Sequence, residues 1–237
     1  LQYIYMQNNP ECNLLGTAAQ IIDEEKIVKR FLYPPTQDID CKFQLLFKNC
    51  FIHTSVMIRK SVFKSVGLYS VNSDRKFAED YDLWSRISRI SVVSNLSNIL
   101  VYYRQHSDGL SKQNNFKFNS CVINICAQNI CLALNLDLND PTANSFASIL
   151  YGPPFRFQGL PNFVRIDSLI FKLSKLFKSS QNYLSISREA FIRCLMYRLY
   201  WLLKCTFLRY ILTLFVNKSH LSFWHVLKDK YIFPKFK

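Results

Sequence analysis

A helix is predicted to begin with the sequence Ala78-Glu79-Asp80-Tyr81-Asp82-Leu83-Trp84. At about 100° per residue, Asp80 falls in the middle of the apolar stripe of this helix, close to Trp84. Glu79 falls near the edge of the stripe. Asp82 is expected to point away from it and to pair with Arg86 at the i,i+4 spacing. The pattern therefore selects Asp80 as the inward carboxylate.

Two interpretations of Asp80 are open at this stage. A carboxylate on the inward face of a helix's first turn is costly unless the site requires it. The helix N-terminus favours the ionised form, which suits a general base. Alternatively, Asp80 caps the helix or accepts hydrogen bonds from buried backbone N–H groups.

Helices and strands are predicted to alternate before this helix and after it, which indicates an α/β fold. Gly67 follows a short apolar helix, at a position that often requires a positive φ. The predicted helices are 1–9, 39–50, 62–66 and 78–90, and the predicted strands are 12–22, 51–58 and 92–103.

The remainder of the chain is predicted to be mostly helical. An apolar helix is expected over 116–134, a proline-containing loop over 137–167, and basic, aromatic-rich helices over 168–177 and 188–216. We therefore divide the chain into 1–111, a helical and loop region 112–184, and a basic amphipathic tail 185–237.

The net charge of +14 belongs almost entirely to the last third, where residues 156–237 hold 15 basic and 3 acidic side chains. Residues 195–216 are largely apolar, but three cationic side chains within them make a membrane-spanning helix expensive. A helix lying on an anionic membrane surface and a helix packed on the domain both fit this pattern. Nucleic acid is not expected as a partner, because no recognition motif accompanies the basic residues.

The eight cysteines are interpreted as packing residues of a reduced, cytoplasmic chain. No glycine-rich phosphate-binding motif occurs. From the residues alone, His53 is interpreted as a core histidine, Trp84 as a core residue or a sugar-stacking surface, and His106 as a surface residue, a core residue or a metal ligand. Arg104 lies two residues from His106 and could bind phosphate.

Four motifs follow one another between residues 49 and 106. They are Asn49-x3-His53-Thr54-Ser55-Val56-Met57, Val66-Gly67-Leu68-Tyr69, Ala78-Glu79-Asp80-Tyr81-Asp82-Leu83-Trp84 and Tyr103-Arg104-Gln105-His106. In order and in separation they closely resemble the motifs of family 2 glycosyltransferases. A further stretch, 9–23, looks like the segment that follows the Asp-x-Asp motif of that family. The resemblance covers about residues 1–111.

The resemblance implies a partial GT-A fold, the acceptor half of a nucleotide-sugar transferase, followed by a helical C-terminal extension. It implies that Asp80 is the base that deprotonates the acceptor hydroxyl, and that transfer proceeds with inversion. Glu79, Trp84 and His53 are then expected to bind the acceptor, which would be a glycan or a lipid-linked sugar.

On the donor side, the resemblance implies that Arg104 and His106 approach the nucleotide sugar. His106 is also expected to contact a divalent metal, Mg or Mn. Synthesis of a surface polysaccharide at the inner face of a membrane would fit such an enzyme.

The family's nucleotide-binding strands are missing from the sequence, which begins at Leu1, and so is its Asp-x-Asp motif at the family's position. The two Asp-x-Asp spacings present are Asp38-Ile39-Asp40, downstream of that position, and Asp80-Tyr81-Asp82, in the Glu-Asp region. The chain therefore looks like an N-terminally truncated enzyme, and we expect negligible sugar transfer by these residues alone. The alternative is a catalytically inactive remnant that acts as a membrane-associated or interaction module.

Overall fold

The computed structural model describes residues 1–105, 115–151, 161–177 and 192–196. Four strands and seven helices follow one another in this part of the chain. They are α1 (Gln2–Asn8), β1 (Cys12–Ile22), β2 (Val28–Leu32), α2 (Asp38–Leu45), β3 (Met57–Ile58), α3 (Phe63–Val66), α4 (Glu79–Ser88), β4 (Val92–Arg104), α5 (Asn115–Leu134), α6 (Pro141–Tyr151) and α7 (Phe163–Leu176). Residues 192–196 are also helical.

Strand β1 is the centre of a mixed four-stranded sheet. Strand β4 runs parallel to β1 along its whole length. On the other side of β1, β2 pairs antiparallel with its C-terminal part and β3 pairs antiparallel with Leu14 and Leu15. Nine of the eleven residues of β1 are buried, as expected for a strand covered on both faces. The predicted α/β fold is confirmed, and it is consistent with a partial nucleotide-sugar transferase fold.

The predicted strand over 51–58 is wrong for most of its length. Residues His53–Ser55 form a 3-10 turn, and the extended part is the two-residue strand β3. The Ser55 hydroxyl donates to the Ile52 carbonyl and accepts from the Thr17 N–H, so a side chain satisfies backbone groups that a strand would have paired. His53 consequently lies at the surface and is not a core histidine.

The prediction of a loop over 137–167, which was based on its prolines, is wrong in part, because α6 and the start of α7 lie there. Pro141 occupies the first position of α6, where its missing N–H costs nothing. The Asp140 carboxylate accepts from the N–H groups of Thr142 and Ala143 at 2.9 and 2.8 Å. The Asn162 side chain caps α7 in the same way.

Two large buried clusters hold most of the described elements together, and a third, smaller one packs α1 against β1 through Met6 and Leu15. One joins the sheet to α4, with Leu14, Trp84 and Ile87 at its centre, and also includes the first part of α5. The other packs α2 against α5, α6 and α7. Helix α5 therefore connects the α/β layer to the helices that follow it. The division at 111/112 and that at 184/185 stay predictions.

Other expectations from the sequence can be compared directly. The helix near the N-terminus, the strands 12–22 and 92–103, and the helix 116–134 are confirmed, and Gly67 ends α3 with φ 76°. The helix predicted at 39–50 ends at Leu45. The seven described cysteines are buried, which agrees with a packing role. Among the described helices, none combines the length and the apolar character needed to cross a membrane.

Candidate active site

Asp80 is the second residue of α4, a helix that begins without a side-chain cap at Ala78. Asp80 Oδ1 accepts from the Tyr81 N–H at 2.7 Å, so the carboxylate satisfies one backbone donor of the first turn. The capping interpretation of Asp80 is therefore correct in part. The second carboxylate oxygen, Oδ2, faces groups from another segment and takes no part in capping the helix. This oxygen is therefore the one available for chemistry.

Asp80 Oδ2 lies between a neutral amide and an imidazole. Asn49 Nδ2 donates to it at 2.9 Å, and His53 Nδ1 lies 3.9 Å away. The Asn49 side chain is fixed in turn, because its Oδ1 accepts from the Phe51 N–H at 2.9 Å. The Asp80 side chain keeps 24% of its surface exposed. A small polar group such as a hydroxyl could therefore reach it from solvent.

The groups around Asp80 shift the pKa of its carboxyl in opposite directions. Burial raises the pKa of the Asp80 carboxyl above its usual value, and the nearby Glu79 carboxylate adds to that rise in pKa. The Tyr81 N–H and the His53 ring lower it. A carboxylate whose pKa is raised binds a proton more strongly, which makes it a better base while it remains ionised.

Three aromatic rings meet beside Asp80. His53, Tyr69 and Trp84 lie with their ring centroids 5.9 to 6.2 Å apart. The Tyr69 hydroxyl lies 3.2 Å from His53 Nε2. Trp84 is 0% exposed, whereas the His53 side chain is 48% exposed. Trp84 can therefore shape the site through the two rings in front of it, and its own ring does not reach the surface.

Arg86 fixes the segment that carries Tyr69. Its Nη1 donates to the Val66 carbonyl and its Nη2 donates to the Leu68 carbonyl at 2.8 Å, so the guanidinium holds both sides of Gly67. Gly67 has φ 76° and ψ −176°, a conformation essentially confined to glycine. The turn after α3 and the guanidinium together set the position of Tyr69.

Asp82 pairs with Arg86 at 2.9 Å, as predicted from the helical wheel. The Asp82 carboxylate is also buried, which the wheel did not predict. Its side chain is 11% exposed, less than that of Asp80, and Arg75 Nη1 binds its other oxygen at 3.3 Å. Arg75 comes from the segment between α3 and α4, which covers this face of the helix. The wheel could not include that segment.

The structure brings three of the predicted site residues together, namely Asp80, His53 and Trp84. Glu79 precedes Asp80 and is half-buried. Arg104 is exposed at the end of β4, in register with Ile22 of β1. His106 lies outside the described residues. Within the described ranges, no group of three or more histidine, cysteine or acidic side chains could hold a metal.

Two residues of the site were missed as functional candidates, Asn49 and Tyr69. Both occur in the motifs on which the resemblance was based. Gly67 also marked the segment that carries Tyr69, because a helix that ends at a glycine usually leads into an exposed turn. Nothing in the local pattern indicated that Asn49 would reach Asp80, since 31 residues separate them.

Comparison with known proteins points to glycosyl transfer. Three curated proteins that are named glycosyltransferases match about half of the chain each, and this supports a glycosyltransferase role. No protein-family model matches the chain.

One relative is the O-antigen biosynthesis glycosyltransferase WbnJ of Escherichia coli, 36% identical over 47% of this chain and 43% of that protein. A second is an uncharacterized glycosyltransferase of Haemophilus influenzae, 29% identical over 55% of this chain and 43% of that protein. A third is the bifunctional glycosyltransferase pgtA of Dictyostelium discoideum, 31% identical over 48% of this chain and 19% of that protein. The matches thus span less than half the length of each relative.

Proposed function

We propose that this chain carries the acceptor side of an inverting family 2 glycosyltransferase with a GT-A fold. The enzyme would move a hexosyl group from a nucleotide sugar to a glycan or lipid-linked acceptor. The observation that carries the proposal is the partly exposed Asp80 carboxylate, held by Asn49 and faced by His53. The names of the three relatives support sugar transfer, and the name of the Escherichia coli relative supports a role in surface polysaccharide synthesis.

Asp80 is the proposed general base. Its Oδ2 takes the proton of the acceptor hydroxyl as the hydroxyl oxygen attacks the anomeric carbon. The new C–O bond forms on the face opposite the bond to the nucleoside diphosphate, which leaves with the bonding electron pair. In-line displacement of this kind inverts the anomeric carbon. The helix N-terminus and the His53 ring favour the ionised carboxylate that this step requires.

The acceptor is proposed to lie against the exposed parts of His53, Tyr69 and Glu79. The two rings offer polar edges to sugar hydroxyls, and their own exposed faces offer an apolar surface to a sugar ring. Trp84 supports both rings from behind. Binding of the acceptor would exclude water around Asp80 and bring one hydroxyl within hydrogen-bond reach of it.

Arg104 and His106 are proposed to approach the donor diphosphate, with His106 near a divalent metal, Mg or Mn. Such a metal would neutralise the charge of the leaving diphosphate when bound. The described residues do not form a metal site by themselves. The steps assigned to Asp80 do not depend on the metal.

The test is an Asp80→Asn substitution in the full-length product of the gene. Removing a general base should lower turnover by about 10² to 10⁴ fold, while binding of the nucleotide sugar is unchanged. Glu25→Gln is the control, because it removes one carboxylate at an exposed turn. Retained turnover in Asp80→Asn would exclude Asp80 as the base. Absence of sugar transfer by the unmodified protein across a panel of donors and acceptors would count against the function itself.

The tail 185–237 is proposed to bind an anionic membrane surface at the inner face of the membrane. It holds ten basic and two acidic residues among large apolar ones. Each basic residue close to an anionic surface contributes about 1 kcal/mol. Flotation with anionic vesicles should therefore recover the complete chain and leave a chain that ends at residue 184 behind. Equal recovery of the two chains would contradict the proposal.

A further inference from the structure

A hydroxyl, an imidazole and a carboxylate lie in sequence in the candidate site. The Tyr69 hydroxyl is 3.2 Å from His53 Nε2, and His53 Nδ1 is 3.9 Å from Asp80 Oδ2. The three residues come from three separate segments, since Tyr69 follows α3, His53 lies in the turn before β3, and Asp80 begins α4. The imidazole therefore connects the tyrosine to the carboxylate that the proposed function uses as its base.

The direction of the hydrogen bond between Tyr69 and His53 follows from the carboxylate on the other side of the imidazole. Burial raises the pKa of the Tyr69 hydroxyl, and the negative charges of Asp80 and Glu79 raise it further, so this hydroxyl keeps its proton and can donate. A neutral imidazole carries one proton, and the nitrogen that accepts a hydrogen bond is the one without it. The Asp80 carboxylate favours that proton on Nδ1, the nitrogen that faces it, which leaves Nε2 to accept from the Tyr69 hydroxyl.

We propose that Tyr69 and His53 are positioning residues for the base, in which the Tyr69 hydroxyl fixes the His53 tautomer so that Nδ1–H faces the Asp80 carboxylate. This inference rests on the proposed function, because it assigns Asp80 the role of base. At 3.9 Å the His53 nitrogen is too far for a direct hydrogen bond in this structure. Its N–H dipole nevertheless favours the ionised carboxylate across this distance.

The His53 ring depends on its neighbours for its orientation. Its side chain is about half exposed, the Trp84 ring packs against it at 80°, and the Tyr69 ring packs against it at a tilt of 37°. Packing alone does not distinguish the two ring nitrogens, because they are nearly equal in shape. The Tyr69 hydroxyl beside Nε2 and the Asp80 carboxylate beside Nδ1 together supply that distinction.

Other groups around Asp80 also influence its ionisation, and their effects must be separated from that of Tyr69. The Glu79 carboxylate opposes ionisation of Asp80, whereas the Tyr81 N–H favours it. The Asn49 amide donates to Oδ2 and carries no charge. A Tyr69→Phe substitution leaves all three in place and removes a single oxygen atom. Any change of the His53 tautomer in this variant is then due to the missing hydroxyl.

The first test is nitrogen NMR of the 237-residue chain with isotope-labelled histidine. The chain holds four histidines, and His53→Gln identifies the signal of His53. At neutral pH the wild-type ring should carry its proton on Nδ1, and Tyr69→Phe should convert it to a mixture of tautomers. Tyr33→Phe, at an exposed tyrosine, is the matched control and should have no effect. Protonation of Nε2 in the wild-type chain overturns the proposal without any variant.

The second test follows the Asp80 carboxyl carbon through a pH titration. Loss of the imidazole should shift the midpoint of this titration to higher pH in His53→Gln, because the His53 ring lowers the pKa of Asp80. In the full-length enzyme, the acid limb of the pH–rate profile should shift in the same direction in His53→Gln. An unchanged midpoint and an unchanged acid limb reject the positioning role, even if Asp80→Asn abolishes turnover. Failure of the proposed function is recognised separately, as absence of sugar transfer by the wild-type enzyme.

Discussion

Replacing Gly16 with alanine is expected to destabilise the fold, because β1 and β4 leave no room for a side chain at this position. Gly16 pairs with Asn95 of β4. A Cβ atom at residue 16 would lie 2.1 Å from Asn95 Oδ1 and 2.9 Å from Phe51 Cδ1. Both neighbours are buried, so neither can swing into solvent. Something in this part of the core must shift.

The magnitude follows from the groups that would move. Overpacking a core by a methyl group costs about 1 to 3 kcal/mol. Asn95 Nδ2 donates to the Pro35 carbonyl at 2.9 Å, and this hydrogen bond would be strained or lost. A hydrogen bond of this kind contributes about 1 kcal/mol. We therefore expect Gly16→Ala to lower the free energy of unfolding by about 3 kcal/mol.

Urea unfolding followed by circular dichroism measures this change, and a melting temperature lowered by about 6 to 12 °C should accompany it. A double-mutant cycle tests the cause. In an Asn95→Ala background the nearest obstacle is gone, so Gly16→Ala should cost about 1 to 2 kcal/mol less than in the wild type. A cost below about 1 kcal/mol in the wild type, or no coupling with residue 95, would refute the reasoning.

The same substitution also tests how the sheet supports the candidate site. Phe51 is the second residue that an alanine at position 16 would displace. The Phe51 N–H donates to Asn49 Oδ1, and Asn49 Nδ2 donates to Asp80. Displacement of Phe51 should therefore reach the carboxylate through Asn49. A change in the Asp80 carboxyl signal in Gly16→Ala, measured below the melting temperature, would show this connection.

Two further predictions concern the charged groups of α4. Because the pKa of Asp80 is raised in the folded state, its ionisation destabilises the fold. The measured quantity is the unfolding free energy of the wild type minus that of Asp80→Asn, from urea titrations across pH. This difference should be highest below the usual Asp range and should fall as the pH rises through the raised pKa. A difference that stays flat or rises would contradict the prediction. Arg86→Lys loses the paired hydrogen bonds to the Val66 and Leu68 carbonyls and should lower the unfolding free energy by about 2 kcal/mol. The control is Arg30→Lys on the exposed strand β2, which should have little effect. Equal melting temperatures of the two variants would contradict this prediction.

The sequence predicted the parts of the fold that depend on local pattern. The apolar run of β1, the extended run of β4, and the acidic start of α4 each carry enough signal in one short segment. Gly67 was predicted in the same way, since a helix end that requires positive φ favours glycine. The choice of Asp80 came from helical periodicity, and the motif resemblance gave the same residue.

Tertiary contacts decided the features that the local pattern could not contain. The segment 51–58 has the alternation of a strand, but the Ser55 hydroxyl binds backbone groups of Thr17 and Ile52 and turns the chain there. The burial of Asp82 depends on Arg75, which the segment before α4 brings across the helix. Neither side chain reveals its partner from its own neighbours in sequence.

The sequence by itself therefore determined that a carboxylate stands at the start of an amphipathic helix within an α/β fold. Only the tertiary structure decided what that carboxylate faces. Asn49, His53 and Tyr69 come from turns outside α4, and their meeting point is fixed by the packing of Trp84 and by the hold of Arg86 on the turn after α3. Helical periodicity is a property of neighbouring residues, whereas a site built from several segments depends on distances that only the folded chain sets.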